Sequence, residues 1–265
     1  MGSDKILYSV FTKVWNELPL PELATLIAGM GFDGVELPVR PGTQVEPQDV
    51  STGLPEAVRI LGDHGLRIYS IAGPADKATI AACAEAGVSI IRINVAVGHG
   101  GYLATEARVR KELESLVPTL DEHGVTIGIQ NHVGRNVANA SGLLHLVESF
   151  DPKHVAAVWD AAHAALAGEE PELGLDILWS RLCMVNFKNG YWERVNGPEA
   201  EWAQWRSHYT TGRQGLASWP RIAAELKRRS YEGVICLSAI YDDRSIANAN
   251  RLTPRDLALA KSLFA

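Results

Sequence analysis

The sequence predicts one α/β domain, a (βα)8 TIM barrel spanning residues 1–265, and three observations predict it. The first is length, since one such barrel takes about 250 residues. The second is a recurring phrase of amphipathic helix, glycine turn and short β-rich run, seen in GMGFDGVELPV, DHGLRIYSIAG, EAGVSIIRINV, EHGVTIGIQNH and SYEGVICLSAI. Glycine just past a helix is the expected left-handed stop, and helices alternating with apolar strands imply parallel pairing with both faces covered. The third is that four apolar runs each stop on a polar residue: Gln130 after VTIGI, Asp160 after VAAVW, Asn186 after CMV and Ser238 after VICL. Residues at the carboxyl ends of barrel strands point into one mouth, so these four are expected to face one another.

Each element follows in order. KILYSVF reads as the first strand, and Leu23, Leu26, Ile27 and Met30 share one face of the first helix. GVELPV, LRIYSIAG and VSIIRINV supply the next three strands. The Gly-rich segment 95–103 is expected to form a flexible lip, followed by a helix with Val109, Leu113, Leu116, Val117 and Leu120 on one face. VTIGIQNH, KHVAAVWD, LCMVNFK and GVICLSAI complete eight strands, and Thr253 with Pro254 reads as the cap and first turn of a final helix. A doubly wound sheet is the structural rival, but no GxGxxG follows the first strand and no composition shift marks a second domain. Segment 189–215, after the seventh strand, is long for a compact domain and holds Tyr191, Trp192, Trp202, Trp205 and Tyr209. EAEWAQWRSHY is expected to form a small helix there; a lid over a ligand, a dimer contact and local packing all remain open.

Composition excludes several classes. Apolar residues at 46% and charged residues at 21% are ordinary for a globular protein. No run approaches the ~20 apolar residues of a membrane span, and the first residues lack a basic leader or cleavage site, so a soluble, cytoplasmic protein is expected. Cys83, Cys183 and Cys236 sit in apolar surroundings, as buried free thiols do in a reducing compartment. A formal charge of −6 without a basic cluster argues against a nucleic-acid partner. The string Lys227, Arg228, Arg229 reads as a solvated helix end, where cations favour the dipole.

The predicted mouth holds further polar residues. Glu36, at the end of the second strand, is a candidate acid or base, or else an ion-pair partner of Arg92 or Arg40. Arg92 and Asn94 end the fourth strand, where an inward guanidinium binds a carboxylate or phosphate in bidentate fashion. His132 and His163 follow Gln130 and Asp160 and are candidates to move protons. Lys188 is a candidate substrate-binding cation, and Arg213 in TTGRQG lies where barrel loops often receive an anionic group.

VEL at 35–37, IQNHVG at 129–134, WDAAHAAL at 159–166, VNFKNG at 185–190 and GLASWPRIAAELKRRSYEGVICLS at 215–238 together resemble the sugar phosphate isomerase/epimerase family. This is the xylose-isomerase-like TIM barrel superfamily, which also contains endonuclease IV. The resemblance implies a divalent-metal site of Glu, Asp, His and Glu from the last four strands, the two Glu residues shuttling the proton. Gln130, Asn186 and Ser238 stand at three of those positions and Asp160 alone is retained, as is Lys188 of the His-x-Lys motif. Mg²⁺ and Mn²⁺ need charged oxygen donors, so no tightly bound cofactor is expected, at most a weak divalent ion at Asp160 with Gln130, Asn186 and Ser238.

The expected function is proton transfer next to a carbonyl in a small polyhydroxylated ketose, sugar acid or related polyol. His132, His163 or Glu36 would move the proton, while Arg92, Asn94, Gln130, Asp160, Asn186, Lys188, Arg213 and Ser238 bind substrate. The alternative is a catalytically silent sugar-binding protein or the non-catalytic subunit of an enzyme pair. A homo-oligomer is compatible with either, and an endonuclease-like activity is opposed by the acidic balance.

Overall fold

Eight parallel strands close a barrel in a computed structural model that describes residues 6–265. The barrel strands are β1 (Ile6–Phe11), β2 (Gly34–Pro38), β3 (Arg67–Ala72), β4 (Ile90–Asn94), β5 (Thr126–Gln130), β6 (Val155–Asp160), β7 (Leu182–Phe187) and, after an inserted hairpin, β10 (Gly233–Leu237). Each pairs with its predecessor, and β1 closes on β10 from Ile6 opposite Gly233 to Val10 opposite Leu237. The first strand was expected from Lys5, which lies outside the described residues together with the rest of 1–5.

Helices α1 (Leu20–Met30), α2 (Val50–Gly62), α3 (Lys77–Ala86), α4 (Tyr102–His123), α5 (Ala140–Val147), α6 (Ala161–Leu166), α7 (Pro171–Leu178), α8 (Trp219–Arg228) and α9 (Ile246–Phe264) surround the sheet. Their apolar faces and the outward strand residues form the main core, which includes Leu23 and Ile27 of α1 and Val109, Leu113 and Leu120 of α4. Gly87 and Gly124 end α3 and α4 in the left-handed region, at φ 71° and 64°, a conformation that costs a residue with a Cβ. Inside the barrel a smaller cluster of Phe11, Ala72, Val158, Met184, Val234 and Cys236 lies beneath the polar mouth. Among the described residues no helix is long and apolar enough to cross a membrane. All three cysteines are free, and burial pushes the Cys83 and Cys183 thiols up to about 12.

Two expectations fail. EAEWAQWRSHY is not helical: segment 189–215 is an antiparallel hairpin of β8 (Asn189–Arg194) and β9 (Trp205–Thr210), paired from Asn189 opposite Thr210 to Arg194 opposite Trp205. Alternation of Trp205, Ser207 and Tyr209 with Arg206 and His208 suits a two-faced ribbon. The buried Asn189 amide fixes its base by donating to the Gly212 and Ala217 carbonyls and accepting from the Ala217 N–H. The final helix starts eight residues earlier than predicted, with Ser245 rather than Thr253 as cap and accepting from the Asn248 N–H, so Thr253 and Pro254 lie inside it.

Candidate active site

The sequence places polar residues wherever a barrel strand delivers its end to the mouth, and register decides how they meet. Between Val35 and Glu36 the pairing of β2 with β3 slips by one residue, a bulge that sets Glu36 opposite Ser70 and turns both inward. Arg92 comes in on β4 and is 4% exposed. Its fork grips Glu36 through Nε and Nη2, each at 2.7 Å, and its Nη1 reaches Gln130 Oε1 at 2.5 Å. Gln130 Nε2 then donates to Asp160 Oδ2 at 2.7 Å. Burial works against the Arg92 charge, but the carboxylate beside it more than offsets this and holds the guanidinium above its ordinary value.

Across the mouth the environment changes. Asp160 caps α6, its Oδ1 accepting the His163 N–H at 3.0 Å, and Asn131 clamps its backbone by accepting from the N–H and donating to the carbonyl. The cap turns the His163 ring into the mouth, 3.9 Å between centroids from His132 and with Nε2 3.4 Å from Lys188 Nζ. Lys188 lies 3.5 Å over the Tyr209 ring of the hairpin. His132 Nδ1 is 2.8 Å from the Val133 carbonyl, so Nδ1 carries the proton and Nε2 keeps a free lone pair. Two buried polar atoms, His163 Nδ1 and Asn186 Oδ1, have no partner among the described residues.

Burial dominates the proton affinities here. It lowers His132, and lowers His163 well below its ordinary value with help from Lys188 and His132, so both rings are neutral at pH 7. It brings Lys188 down to about 8 against the pull of Asp160. It pushes the Asp160 carboxyl above its usual range against the pull of Lys188. All of these groups line one cavity of about 140 Å³ together with Phe11, Lys13, Glu36, Arg40, Arg92, Asn94, Asn186, Cys236, Ser238 and Ile240.

The donor set does not fit a tightly held divalent ion. Both Asp160 oxygens and Gln130 Oε1 already accept hydrogen bonds, and Asn186 and Ser238 add no charge. A guanidinium and an ammonium stand on the same wall. Among the described residues no three His, Cys, Asp or Glu side chains converge as metal ligands.

Ten of the eleven predicted site residues line this cavity. Arg213 does not: it is exposed in the turn between β9 and α8 and its charge acts on Asp256. Asn94 reaches the wall only at its edge, 3.4 Å from Arg92 Nη1. Sequence reasoning missed Lys13, Phe11, Asn131 and Ser70, and weighed Arg40 only as an ion-pair partner. The strand-end rule that found Ser238 would also have found Lys13, two residues past β1, and Arg40, two past β2. Ala239, beside Ser238, holds a left-handed φ of 52°, a strained turn over the mouth that no pattern announces.

Residues 24–263 match the family described as xylose isomerase-like TIM barrel. An inosose dehydratase from Mesomycoplasma hyopneumoniae (strain 7448) is 24% identical over 149 residues, 54% of this chain and 49% of that protein. An inosose dehydratase from Bacillus velezensis is 24% identical over 132 residues, 48% of this chain and 44% of that one. The chain thus spans about half the length of the curated relatives it matches. Among solved structures, D-psicose 3-epimerase from Clostridium cellulolyticum H10 superposes with a TM-score of 0.73 at 11% identity, covering 97% of this chain and 99% of that one. The 3-keto-D-glucoside 4-epimerase from E. coli gives 0.73 at 13% identity, over 97% and 100%. At such identity the likeness is one of fold. With the match running over nearly its whole length, the chain belongs to the xylose isomerase-like TIM barrel family.

Proposed function

We propose that this barrel catalyses proton transfer next to a carbonyl in a small polyhydroxylated substrate, by a route that needs no tightly held metal. The observation that carries this reading is the cluster of His132, His163 and Lys188 on the cavity wall, three nitrogen bases held below their ordinary proton affinities. His132 Nε2, with its lone pair free, takes the proton from the carbon beside the carbonyl. Lys188 as ammonium gives a proton to the oxygen on which charge develops, with Ser238 alongside, and takes it back when the carbonyl re-forms and His132 returns its proton to carbon. His163 Nε2, 3.4 Å from Lys188 Nζ, accepts from that ammonium and holds it in place. The reading is supported by the names of the similar proteins, a D-psicose 3-epimerase and a 3-keto-D-glucoside 4-epimerase of the same fold and inosose dehydratases among the curated relatives.

Solvent-deuterium incorporation into ketoses and sugar acids, followed by NMR with and without added Mn²⁺, tests it. Wash-in that disappears in His132→Ala supports the mechanism; no wash-in with any compound under either condition overturns it. The second reading, a silent sugar-binding protein, is favoured by the locked Glu36–Arg92–Gln130 network, which leaves no carboxylate free as a base on that side. It predicts a thermal shift with a polyol and no exchange.

A further inference from the structure

Cations outnumber anions around the mouth. Glu36 is consumed by Arg92 and the charge of Asp160 acts on Lys188, which leaves Lys13 and Arg40 on the wall without an anion of their own. Arg244 stands next to them in the loop after β10. Among the described residues none of the three has a carboxylate within ion-pair distance. Arg40 spends its Nε on the Ala72 carbonyl at 3.2 Å and holds its guanidinium 5.7 Å over the Phe11 ring, so it is fixed in place rather than waving in solvent.

These charges press on one another. Lys13 is lowered by partial burial and then by Arg40, Arg244 and Arg92, and Arg40 by burial and then by Arg92. The Arg244 charge also reaches Lys188 and Tyr209. Crowded like charges without counter-charge raise the energy of the empty pocket, and an anion placed between them relieves it. A second cavity, of about 190 Å³, opens at this spot, lined by Lys13, Val14, Asn16, Ile240 and Arg244. It shares Lys13 and Ile240 with the mouth, so the two lobes adjoin. Lobes of this size suit a small molecule rather than a polymer. Lys13 follows β1 and Arg244 follows β10, neighbouring strands of the barrel, and loops at this end commonly receive anionic groups.

We infer that the substrate is an anionic polyol, its carboxylate or phosphate seated between Lys13 and Arg244 with Arg40 at the junction, and its carbonyl end reaching His132 and Lys188. The inference rests on the proposed proton-transfer reading for the carbonyl end alone; the anion subsite stands on its own geometry. Arg213, the anion site expected from sequence, plays no part in it.

Titration calorimetry with D-glucitol, D-gluconate, 6-phospho-D-gluconate and inorganic phosphate tests the subsite. The wild-type protein is expected to bind the anionic polyols at least about tenfold more tightly than D-glucitol. The Lys13→Gln/Arg244→Gln protein should lose that preference while keeping its affinity for D-glucitol and melting no lower than the wild type, because both side chains stand at the rim and their mutual repulsion is removed. A tighter grip on 6-phospho-D-gluconate than on D-gluconate identifies a phosphate head; equal grips identify the carboxylate. Equal affinity for D-glucitol and the anions, a preference that survives the double substitution, or no binding of any anion overturns the inference. Charge-dependent binding without deuterium wash-in would sink the proton-transfer reading and leave the subsite standing, so the two failures are distinguishable.

Discussion

The two halves of the mouth use similar residues to opposite ends. On the β2–β4–β5 side, Glu36, Arg92 and Gln130 satisfy one another: a bidentate ion pair, a further guanidinium contact and an amide relay leave little unspent. On the β6–β7 side, reached by His132 from the loop after β5, His163 Nδ1 and Asn186 Oδ1 are buried with no partner among the described residues, Lys188 is brought down to about 8, and two neutral imidazoles touch. Saturated polar networks rigidify, whereas unsatisfied buried groups cost stability and persist where something else uses them. On the proposed function, the first half is structural and the second is where the proton moves.

The largest expected effect breaks the structural half. Glu36→Ala strands the Arg92 charge in a site where it is 4% exposed, and removing one partner of a buried pair costs about 3–5 kcal/mol. Chemical denaturation should show this, and Glu36→Leu combined with Arg92→Met should recover much of it, since a well-packed apolar pair often replaces a buried ion pair. A Glu36→Ala protein of undiminished stability would mean that the network does not hold the barrel mouth together.

Next comes the chemical half. His132→Ala or Lys188→Met should lower the deuterium-exchange rate by about 10²- to 10⁴-fold, the ordinary weight of a general acid or base. Stability should not fall in step. Lys188→Met is expected to gain stability at neutral pH, because it removes a buried cation that lacks a close carboxylate. Equal losses of stability on both sides of the mouth would erase the distinction between them.

A smaller effect is read in pH. His163 has a folded value well below 6.5, so between that value and 6.5 the unfolded chain binds the extra proton and stability falls as pH falls. Lys188 is lowered from 10.5 to about 8, so its contribution rises with pH across that window and is flat below it. Asp160 is raised, and its burial weakens the fold as pH rises through the range between 3.8 and its folded value. Urea midpoints against pH should show the acid loss in the wild type and a shallower slope in His163→Gln.

How much of this was legible follows the physics of each signal. Strand ends were legible because the barrel rule converts the last residue of an apolar run into a position, as at Gln130, Asp160 and Asn186. The Arg92–Glu36 pair was legible only as an alternative, since its geometry depends on a bulge at Val35 that no residue type announces. The hairpin was misread as a helix because Trp, Ala and Glu spacing in EAEWAQW resembles helical periodicity, while the two-residue alternation begins only at Trp205. The subsite of Lys13 and Arg244 was legible in part: the strand-end rule reaches Lys13, but Arg244 lies seven positions past the Leu237 strand end, in a loop whose path no residue pattern announces.

The smallest expected effect sharpens the comparison from the side of metals. A divalent ion placed at Asp160 would have to displace the Gln130 and His163 N–H donors from the one carboxylate there, with Arg92 and Lys188 opposing its charge. Mg²⁺ and Mn²⁺ give up their water shells only for better-charged oxygen sets. Exchange rates should therefore be unchanged by EDTA and by added Mn²⁺. Gln130→Glu with Ser238→Glu adds two carboxylates to the wall, and calorimetry should then detect Mn²⁺ binding that the wild type lacks. Tight Mn²⁺ binding by the wild-type protein would show that the neutral half of the mouth rearranges around an ion, and would return Asp160 and Asn186 to the role of ligands.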